Sequence, residues 1–468
     1  MKRLGSIGAT MGALLLAGCN PNPAPLGNGT GNETGNTAEP VKTADINPVV
    51  DNCNTTLPPS PAVVTPEMAR SGLPCSLAFD GTFAIEPVQE AFDFNSWLTF
   101  AALNAPEAGG TAGADAPTNW EAWQDLYSLM LPGGATPPPF GSSVPPPAIC
   151  KGGTADTAVM RMISKTPVTP TLQVAGQPLN TGPLIDQNGH YVRYQILVNK
   201  PMYDYIVANN LYSKAGQQAF TGDISFPEGA TVDKTTKGTI GAIVVKAAWK
   251  VLDPADPNDA AANFHVTKAY VYTAAAPGVK ESCVTETLGL VGLHIVHKTT
   301  AEPQWIWSTF EHVRNVPNAF GPAASGNYNF YKAGCSTTAC KVNVAPPQPW
   351  NPSVDPFPGD YHSQIVRKTK YPGPAVRSAA LWNGQFRPAL GGVWQNYELI
   401  TTQWPTDAKN KVDPDGAPFP VFAANATMET YVQNNVPLAG SSCMGCHGNA
   451  TGMTGKPSDF SFVLEKAN

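Results

Sequence analysis

The sequence predicts an α+β protein with an antiparallel β-sheet core, peripheral helices, long Pro/Gly-rich loops and a short C-terminal helix that contains two cysteines. Three observations support this fold class. The middle of the chain alternates between apolar and polar residues, and other segments repeat apolar residues at helical spacing. The 468 residues also include 43 glycines and 47 prolines, a content that breaks long helices and favours turns.

The predicted strands lie between residues 240 and 310. Residues 240–252, 265–274 and 284–299 alternate in polarity and are rich in Val, Ile, Thr and Tyr, which are common in strands. Residues 303–310 follow a polar turn and are expected to form the returning arm of a hairpin. We therefore expect an antiparallel sheet of four or more strands joined sequentially.

Several segments are expected to be helical. Thr118 is suited to cap a helix, and Pro201 is suited to the first turn of one. The segments 132–149 and 344–425 are Pro-rich and are predicted to be mostly irregular. The predicted helices are residues 85–104, 118–131, 201–220, 376–384 (short) and 426–436, the last leading toward the C-terminal cysteine pair.

Composition excludes several classes of protein. Charged residues are only 14% of the chain and hydrophobic residues 42%, so the chain can form a sizeable core and is not expected to be disordered throughout. The formal net charge of −6 provides no basic surface for binding nucleic acid.

The N-terminus has the pattern of an export signal. Lys2 and Arg3 precede a short apolar stretch, Leu4 to Leu16, that is too short to span a bilayer. Residues 20–50 are mostly Asn, Gly, Thr and Pro and cannot bury enough apolar surface to fold, so they are predicted to be a disordered tether.

The strongest chemical signal is Cys443-Met444-Gly445-Cys446-His447 near the C-terminus. This CxxCH pattern is typical of c-type haem attachment. Two thiols three positions apart lie on one side of a helical turn and can bond both haem vinyl groups, and the following histidine can bind the iron as its proximal ligand. A zinc site would need a second cysteine pair of suitable spacing, and a thioredoxin-like site would need a preceding βαβ unit. Neither is found, so one haem c is the predicted cofactor.

Candidates for the sixth iron ligand are several histidines and methionines. His294 and His297 are three residues apart on one predicted strand, so they face opposite sides and at most one can reach the haem. His294 is preferred, because it is expected to share a face with Leu290, Gly292 and Val296, and Gly292 would let a flat ring approach the backbone. The other candidates are His190, His265, His312, His362, Met428 and Met453.

Further side chains could assist a haem. Glu311, His312 and Arg314 could form a distal acid/base group, and Arg377 and Arg387 could pair with propionates. For all of these, an ordinary structural role is the simpler interpretation. Tryptophans Trp305 and Trp307 are likewise expected either to pack on the haem or to belong to the core.

Nine cysteines allow several pairings. With Cys443 and Cys446 assigned to haem and Cys19 set aside, six remain, and export permits disulfides. Short separations favour Cys335–Cys340 and Cys53–Cys75, which leave Cys150–Cys283 as the third pair. Six cysteines allow 15 pairings, so the sequence alone does not fix the connectivity.

Two family resemblances extend this interpretation. Leu16-Ala17-Gly18-Cys19 resembles the lipobox of bacterial lipoproteins, which implies acylation of Cys19 and cleavage before it. Asn20 is not the aspartate that marks inner-membrane retention, which implies the outer membrane rather than the inner. Together with the single CxxCH, the lipobox makes the chain resemble large bacterial monohaem c-type cytochrome lipoproteins; segments 304–312, 396–405, 442–450 and 459–464 carry the looser part of this resemblance.

This chain differs from small cytochromes c, because only 21 residues follow His447 and the haem must be covered by earlier residues. Cytochromes c′ and their β-sheet analogues place the motif similarly and bind small gases. The predicted strands exclude the helical version, and Asp459-Phe460-Ser461-Phe462 would suit a closing strand of the β version.

The expected organisation has four parts. They are a signal peptide (1–19), a tether (20–50), a β-rich body with helices (51–375) and a haem-binding C-terminal region packed on that body (376–468). The expected function is one-electron transfer to or from a redox partner protein in the cell envelope, with the body in the periplasm or at the surface. The alternative is a haem enzyme or gas-binding protein, such as a peroxidase or oxidase, with an open distal site.

Overall fold

The structure, a computed structural model, describes most of the chain after residue 48. The described residues are 49–51, 54–55, 59, 61–77, 85–104, 116, 118–154, 157–161, 181–231, 237–321, 326–335, 340–359, 361, 363–407, 417–433 and 441–468.

Within these residues the helices are α1 (Pro66–Ala69), α2 (Ile85–Asn104), α3 (Leu126–Leu129), α4 (Lys200–Ala208), α5 (Lys214–Ala219), α6 (Gly373–Leu390) and α7 (Cys443–His447). The strands are β1 (Val49–Asp51), β2 (Asn54–Thr55), β3 (Pro74–Ser76), β4 (Gln124–Asp125), β5 (Val159–Met160), β6 (Arg193–Val198), β7 (Ala230–Thr231), β8 (Lys237–Thr239), β9 (Ile243–Val251), β10 (Val266–Thr273), β11 (Ser282–His297), β12 (Ile306–His312), β13 (Asn327–Tyr328), β14 (Tyr331–Lys332), β15 (Tyr397–Pro405) and β16 (Pro418–Phe419).

A nine-stranded sheet forms the core, which confirms the predicted α+β class. Seven strands follow the antiparallel order β16-β15-β12-β11-β9-β6-β4, and the sheet does not close into a barrel. Of the remaining two, β10 pairs with β11, and β5 pairs in parallel with β10. The predicted strands in residues 240–310 correspond to β9, β10, β11 and β12. They are not simply sequential neighbours, because β9 pairs with β11 rather than with β10.

The 16-residue strand β11 organises the sheet. Its first half pairs with β10 from Ser282 to Gly289, and its second half lies between β9 and β12. A β-bulge interrupts the register with β9 between Leu290 and Gly292. The bulge adds one residue to β11 and therefore reverses which face each later side chain occupies.

Helices α2 and α6 cover one face of the sheet. Trp97 of α2 is fully buried, stacks on Phe386 of α6 with ring centroids 5.3 Å apart and meets the edge of Phe310 of β12 at 5.1 Å. The predicted helix over 85–104 is thus confirmed. The predicted short helix at 376–384 is longer in the structure and spans all of α6.

The opposite face is covered by α4 and the C-terminal residues 441–468. Met202 and Ile206 of α4 belong to the same buried cluster as Val296 of β11 and Leu464. This face therefore has the CxxCH motif packed directly against the central strands.

Two helix predictions were wrong. The segment 118–131 contains a 3₁₀ turn, the strand β4 and the short helix α3, because residues 124–125 pair with β6. The Thr118 cap does exist, as a capping box with Glu121.

The described part of 426–436 forms turns, and local hydrogen bonds explain why: Asn425 accepts from the Thr427 amide, and Glu429 accepts from the Asn425 amide. The predicted helix over 201–220 is divided into α4 and α5.

Disulfides between described cysteines join Cys150 to Cys283 and Cys335 to Cys340. Cys75 is also disulfide-bonded. Its predicted partner Cys53 lies outside the described residues, so that pairing stays a prediction. No helix in the described part of the chain is long and apolar enough to cross a membrane.

Asp93 is a buried carboxyl between α2 and β15. Its Oδ1 accepts hydrogen bonds from the Gln89 side chain at 2.9 Å and the Thr402 amide at 3.1 Å. Burial nevertheless raises the pKa of Asp93 to about 7. The carboxyl is therefore protonated in the folded state at pH values where the unfolded chain has already lost that proton.

We expect this group to make stability fall as pH rises. Its stabilising contribution is complete below about pH 4, the unfolded pKa, and is lost as pH rises to about 7, in total about 4 kcal/mol. Denaturant unfolding at several pH values should show a steeper decline between about pH 4 and 7 in the wild type than in Asp93→Asn. Parallel pH profiles for the two proteins would contradict the assignment.

Candidate functional site

The CxxCH motif forms the short helix α7. The Ser442 side chain caps it by accepting a hydrogen bond from the Gly445 amide at 3.1 Å. Cys443 and Cys446 are three positions apart on this single turn and are both half-buried, whereas His447 is buried. Cys443 packs against the same core cluster as Met444 and lines a pocket together with His447.

Gln403 of β15 holds α7 against the sheet. Its Oε1 accepts from the Met444 amide at 2.8 Å, and its Nε2 donates to Ser442 Oγ at 3.1 Å. Gln403 is fully buried, so these hydrogen bonds fix the start of α7 relative to the central strands. The sequence contained no spacing that connects Gln403 with the motif 40 residues later.

A backbone carbonyl fixes the tautomer of His447. Its Nδ1 is 2.8 Å from the carbonyl oxygen of Phe460. A carbonyl oxygen only accepts, so Nδ1 carries the hydrogen and the lone pair resides on Nε2. Metal-binding histidines commonly make this second hydrogen bond, which orients the ring. The ring also contacts Trp307, at 4.6 Å between centroids, and Phe462, at 5.0 Å.

The Phe460 carbonyl belongs to an unusual backbone corner. Asp459 and Phe460 have φ values of 51° and 62°, in the left-handed region that few residues other than glycine adopt. Trp305, with φ of 70°, donates its Nε1 hydrogen to the Asp459 carbonyl at 3.0 Å. The sequence-based prediction of a closing strand at 459–462 was wrong, because these two residues turn the chain instead of extending it.

A buried ion pair holds this corner. Lys298, directly after β11, places its Nζ 2.5 Å from Asp459 Oδ2, and both side chains are fully buried. The same carboxylate oxygen accepts from the Phe226 amide at 2.7 Å. The carbonyl that accepts from His447 is thereby tied to the end of the central strand. Sequence analysis missed Lys298 and Asp459, since they are 161 positions apart.

His294 and His447 line one small pocket. Its cavity volume is only about 10 Å³, and its lining comprises Lys246, His294, Val296, Trp307, Ser308, Cys443 and His447. The structure thus places His294, the preferred candidate for the sixth iron ligand, in one pocket with Cys443 and His447 of the CxxCH motif. His294 Nε2 lies 3.6 Å from Glu429 Oε2, which is beyond a normal hydrogen bond.

The bulge in β11 changes the predicted surroundings of His294. Leu290 belongs to the cluster beneath α2 and α6, whereas Val296 belongs to the cluster on the opposite face. The expectation that His294 shares a face with Leu290 was therefore wrong. The space beside Gly292 is also not open to a haem ring. A Cβ added to Gly292 would lie 2.1 Å from Thr427 Oγ1, so the segment 417–433 already covers this glycine.

The predicted distal acid/base group is not assembled. Glu311 forms a two-point ion pair with Arg367, at 2.8 and 3.1 Å. His312 donates from Nε2 to the Asn263 carbonyl, and burial lowers its pKa to about 4. Arg314 instead donates to Asn258 at 3.0 Å. These three side chains serve separate structural contacts.

Other candidates also lie away from the pocket. Arg377 pairs with Glu86, and Arg387 donates to the Gln395 carbonyl. Both arginines belong to α6, on the opposite face of the sheet from α7, so they do not approach the pocket.

The remaining ligand candidates have other surroundings. His190 contacts Asp355 and His265 contacts Glu121, while Met428 is in the core and Met453 is exposed. His297 is buried, has no hydrogen-bond partner for either ring nitrogen among the described residues and has its pKa lowered to about 4 by burial. Cys19 and His362 lie outside the described residues.

The residues around α7 have the chemistry that a covalent haem requires. The Nε2 lone pair of His447 can bind iron, and two sulfurs lie on the same turn. Cys443 keeps a thiol, but Cys446 is disulfide-bonded, so its sulfur would have to be reduced before it could form a thioether. No cluster of three or more His, Cys, Asp or Glu side chains suited to a metal ion occurs in the described ranges.

Neither the sequence nor the fold of this chain matches a known family model, a curated protein or a solved structure. The functional interpretation therefore depends on the geometry of the site itself.

We expect the Lys298–Asp459 pair to be essential for the corner beneath His447. Lys298→Met leaves a buried carboxylate without its cation, which should lower the free energy of unfolding by about 3–5 kcal/mol. The double variant Lys298→Met/Asp459→Asn should recover a large part of this loss. Urea unfolding of both variants and the wild type measures the coupling.

A matched control is Lys200→Met. Lys200 also lies 2.5 Å from a carboxylate, that of Asp204, but its side chain is 55% exposed. Its loss should cost about 1 kcal/mol or less. Equal effects of the two lysine substitutions would show that burial does not make the Lys298 pair important.

Proposed function

We propose that this chain is an envelope-anchored c-type cytochrome that transfers one electron at a time through a single haem. Cys443 and Cys446 would hold the haem, and His447 would bind its iron from the proximal side. When bound, the haem supplies the iron(II)/iron(III) couple. The protein supplies attachment, orientation and shielding from water.

The observation that carries the proposal is the hydrogen bond from His447 Nδ1 to the Phe460 carbonyl. It orients the imidazole and assigns the lone pair to Nε2, in a motif whose two sulfurs lie within one helical turn. A buried histidine with only a structural role would not require two cysteines at this spacing. A structural CxxC has no need of an oriented imidazole directly after it.

The surroundings of His447 also suit a redox centre that exchanges electrons without binding a substrate. Trp307 and Phe462 flank its ring, and the sheet buries it. His294, which lines the same pocket, is the proposed sixth ligand. Two protein ligands would leave the iron no open position, as electron carriers require.

The cellular part of the proposal rests on the N-terminal sequence. Cleavage before Cys19 and acylation of its thiol would anchor the protein to a membrane, with residues 20–50 as the tether. A stretched tether reaches about 100 Å and a flexible coil averages about 30 Å, so the body could meet a redox partner away from the bilayer.

One observation favours the alternative of a haem enzyme or gas-binding protein. His294 Nε2 is only 3.6 Å from the buried Glu429 carboxylate. If His294 stays with Glu429, His447 would be the one histidine of the pocket that holds the iron, with Lys246 and Ser308 also lining the pocket, and the haem could then bind a substrate or a gas.

Covalent attachment and anchoring can be tested on one haem-stained denaturing gel of membrane and soluble fractions. In a host competent for c-type cytochrome maturation, the wild type should stain in the membrane fraction and gain the mass of one haem. Cys443→Ala/Cys446→Ala should lose the stain, because no thioether remains. Cys19→Ala should keep the stain but move to the soluble fraction.

The matched control is Cys335→Ala/Cys340→Ala, which removes two cysteines from a disulfide elsewhere in the chain. It should retain the haem stain. A colourless wild type of unmodified mass would refute the cytochrome assignment, and a membrane-bound Cys19→Ala would refute acylation as the anchor.

Absorption spectra with and without carbon monoxide separate the two functions. The wild type should be low-spin and unreactive, because His294 fills the sixth position. His294→Ala should become high-spin and bind carbon monoxide. The control is His297→Leu, on the same strand but facing the other side of the sheet, and it should behave as the wild type.

Rapid binding of carbon monoxide by the wild type would favour the enzyme or gas-binding function instead. Identical low-spin spectra for the wild type and His294→Ala would show that another residue is the sixth ligand.

A further inference from the structure

A second pocket lies on the same face of the sheet as α7. Its cavity volume is about 180 Å³, and every one of its lining residues is polar or a tyrosine. Its floor contains Lys250 of β9 and Asp256, Asn258 and Asp259 of the loop after that strand. One side is formed by the hairpin of β13 and β14, which contributes Asn327, Tyr328, Tyr331 and Lys332.

The buried lysine of the floor is ion-paired. Lys250 is buried, and its Nζ lies 2.5 Å from Asp259 Oδ1 and 3.6 Å from Asp186 Oδ2. Asp256 accepts from the Asn258 side chain at 2.8 Å and from the Asn188 side chain at 3.3 Å. Asp256 therefore has only neutral amide partners, but the two lysines and two aspartates of the lining balance in charge, which favours a neutral polar ligand over a phosphate or a metal ion.

The hairpin provides groups that the fold itself does not use. The side chains of Asn327, Tyr328 and Tyr331 make no hydrogen bond within the described residues, although each lines the pocket. One amide and two phenols offer both donors and acceptors. The two tyrosine rings are 5.9 Å apart and nearly perpendicular, so they present apolar faces beside these polar groups.

We propose that this pocket binds a neutral polyhydroxylated ligand of the carbohydrate class. Hydroxyl groups of a sugar can both donate to and accept from the Asn327 amide and the two phenols. The C–H face of a sugar ring can pack on Tyr328 or Tyr331. The floor supplies fixed polar atoms, which lowers the entropic cost of holding such a ligand.

The sugar site does not depend on the haem. Lys246 lines the His447 pocket, and Lys250 lines the second pocket. The two lysines are four positions apart on the same face of β9, which is about 13 Å along the strand. The two pockets are therefore neighbours with separate linings, and binding of a sugar can be measured on protein without cofactor.

Saturation-transfer NMR and calorimetry with D-glucose, D-galactose, N-acetyl-D-glucosamine, maltose and lactose test the proposal on the mature chain. At least one of these sugars should bind with a Kd below about 1 mM. Tyr331→Ala and, separately, Asn327→Ala should weaken that binding at least about tenfold. Asn327 is exposed, so its substitution should not disturb folding.

The control variant is Phe320→Ala, which removes an exposed aromatic ring that does not line the pocket. It should bind the sugar as the wild type does. Calcium chloride and inorganic phosphate serve as competing probes. Absence of binding by all five sugars, equal affinity in the hairpin variants, or binding of calcium or phosphate at this site instead of a sugar would overturn the proposal.

Discussion

The hydrogen bond between His447 and the Phe460 carbonyl is the contact on which the site depends. The carbonyl can accept it only because Asp459 and Phe460 adopt left-handed backbone conformations. Such conformations cost free energy and persist where surrounding contacts enforce them. Here those contacts are the buried Lys298–Asp459 ion pair and the hydrogen bond from Trp305. One imidazole is thus oriented by residues from two strand ends and from the C-terminal segment.

The central sheet connects this corner to the rest of the molecule. β11 contributes His294 to the pocket and leads directly into Lys298, β12 contributes Trp307, and β15 contributes Gln403. Helices α2 and α6 pack on the far face with a dense aromatic core around Trp97. This core makes the sheet rigid, and a rigid sheet is what allows four separate side chains to keep fixed positions around one short helix.

The sequence predicted the parts of the fold that local periodicity determines. The β9 to β12 strands and α2 follow from alternation and helical spacing within a single segment. The helix expected at 118–131 failed because residues 124–125 pair with β6, a partner about 70 positions away. Local pattern alone also could not reveal the bulge before Gly292, which moves Leu290 to the face opposite His294.

For the site, the CxxCH motif and the preference for His294 came from short spacings in the sequence. The residues that position this motif and His294 could not be predicted from such spacings. Gln403, Lys298 and Asp459 act through contacts between distant positions, and each is an ordinary polar residue in its own segment. A single sequence records no such pairing, so these roles become visible only in three dimensions.

The C-terminal segment is secured at both of its ends. Gln403 holds the start of α7, and the carbonyl of the final residue, Asn468, accepts from the Lys214 amide at 3.1 Å. Between these points His447 is buried against strands that precede it in the chain. An enzyme that joins a large planar cofactor to the two sulfurs would therefore need to act on this segment while it is still undocked. The final closure of the molecule would then be a step that follows modification, and the order of events during biogenesis would be built into the position of the motif.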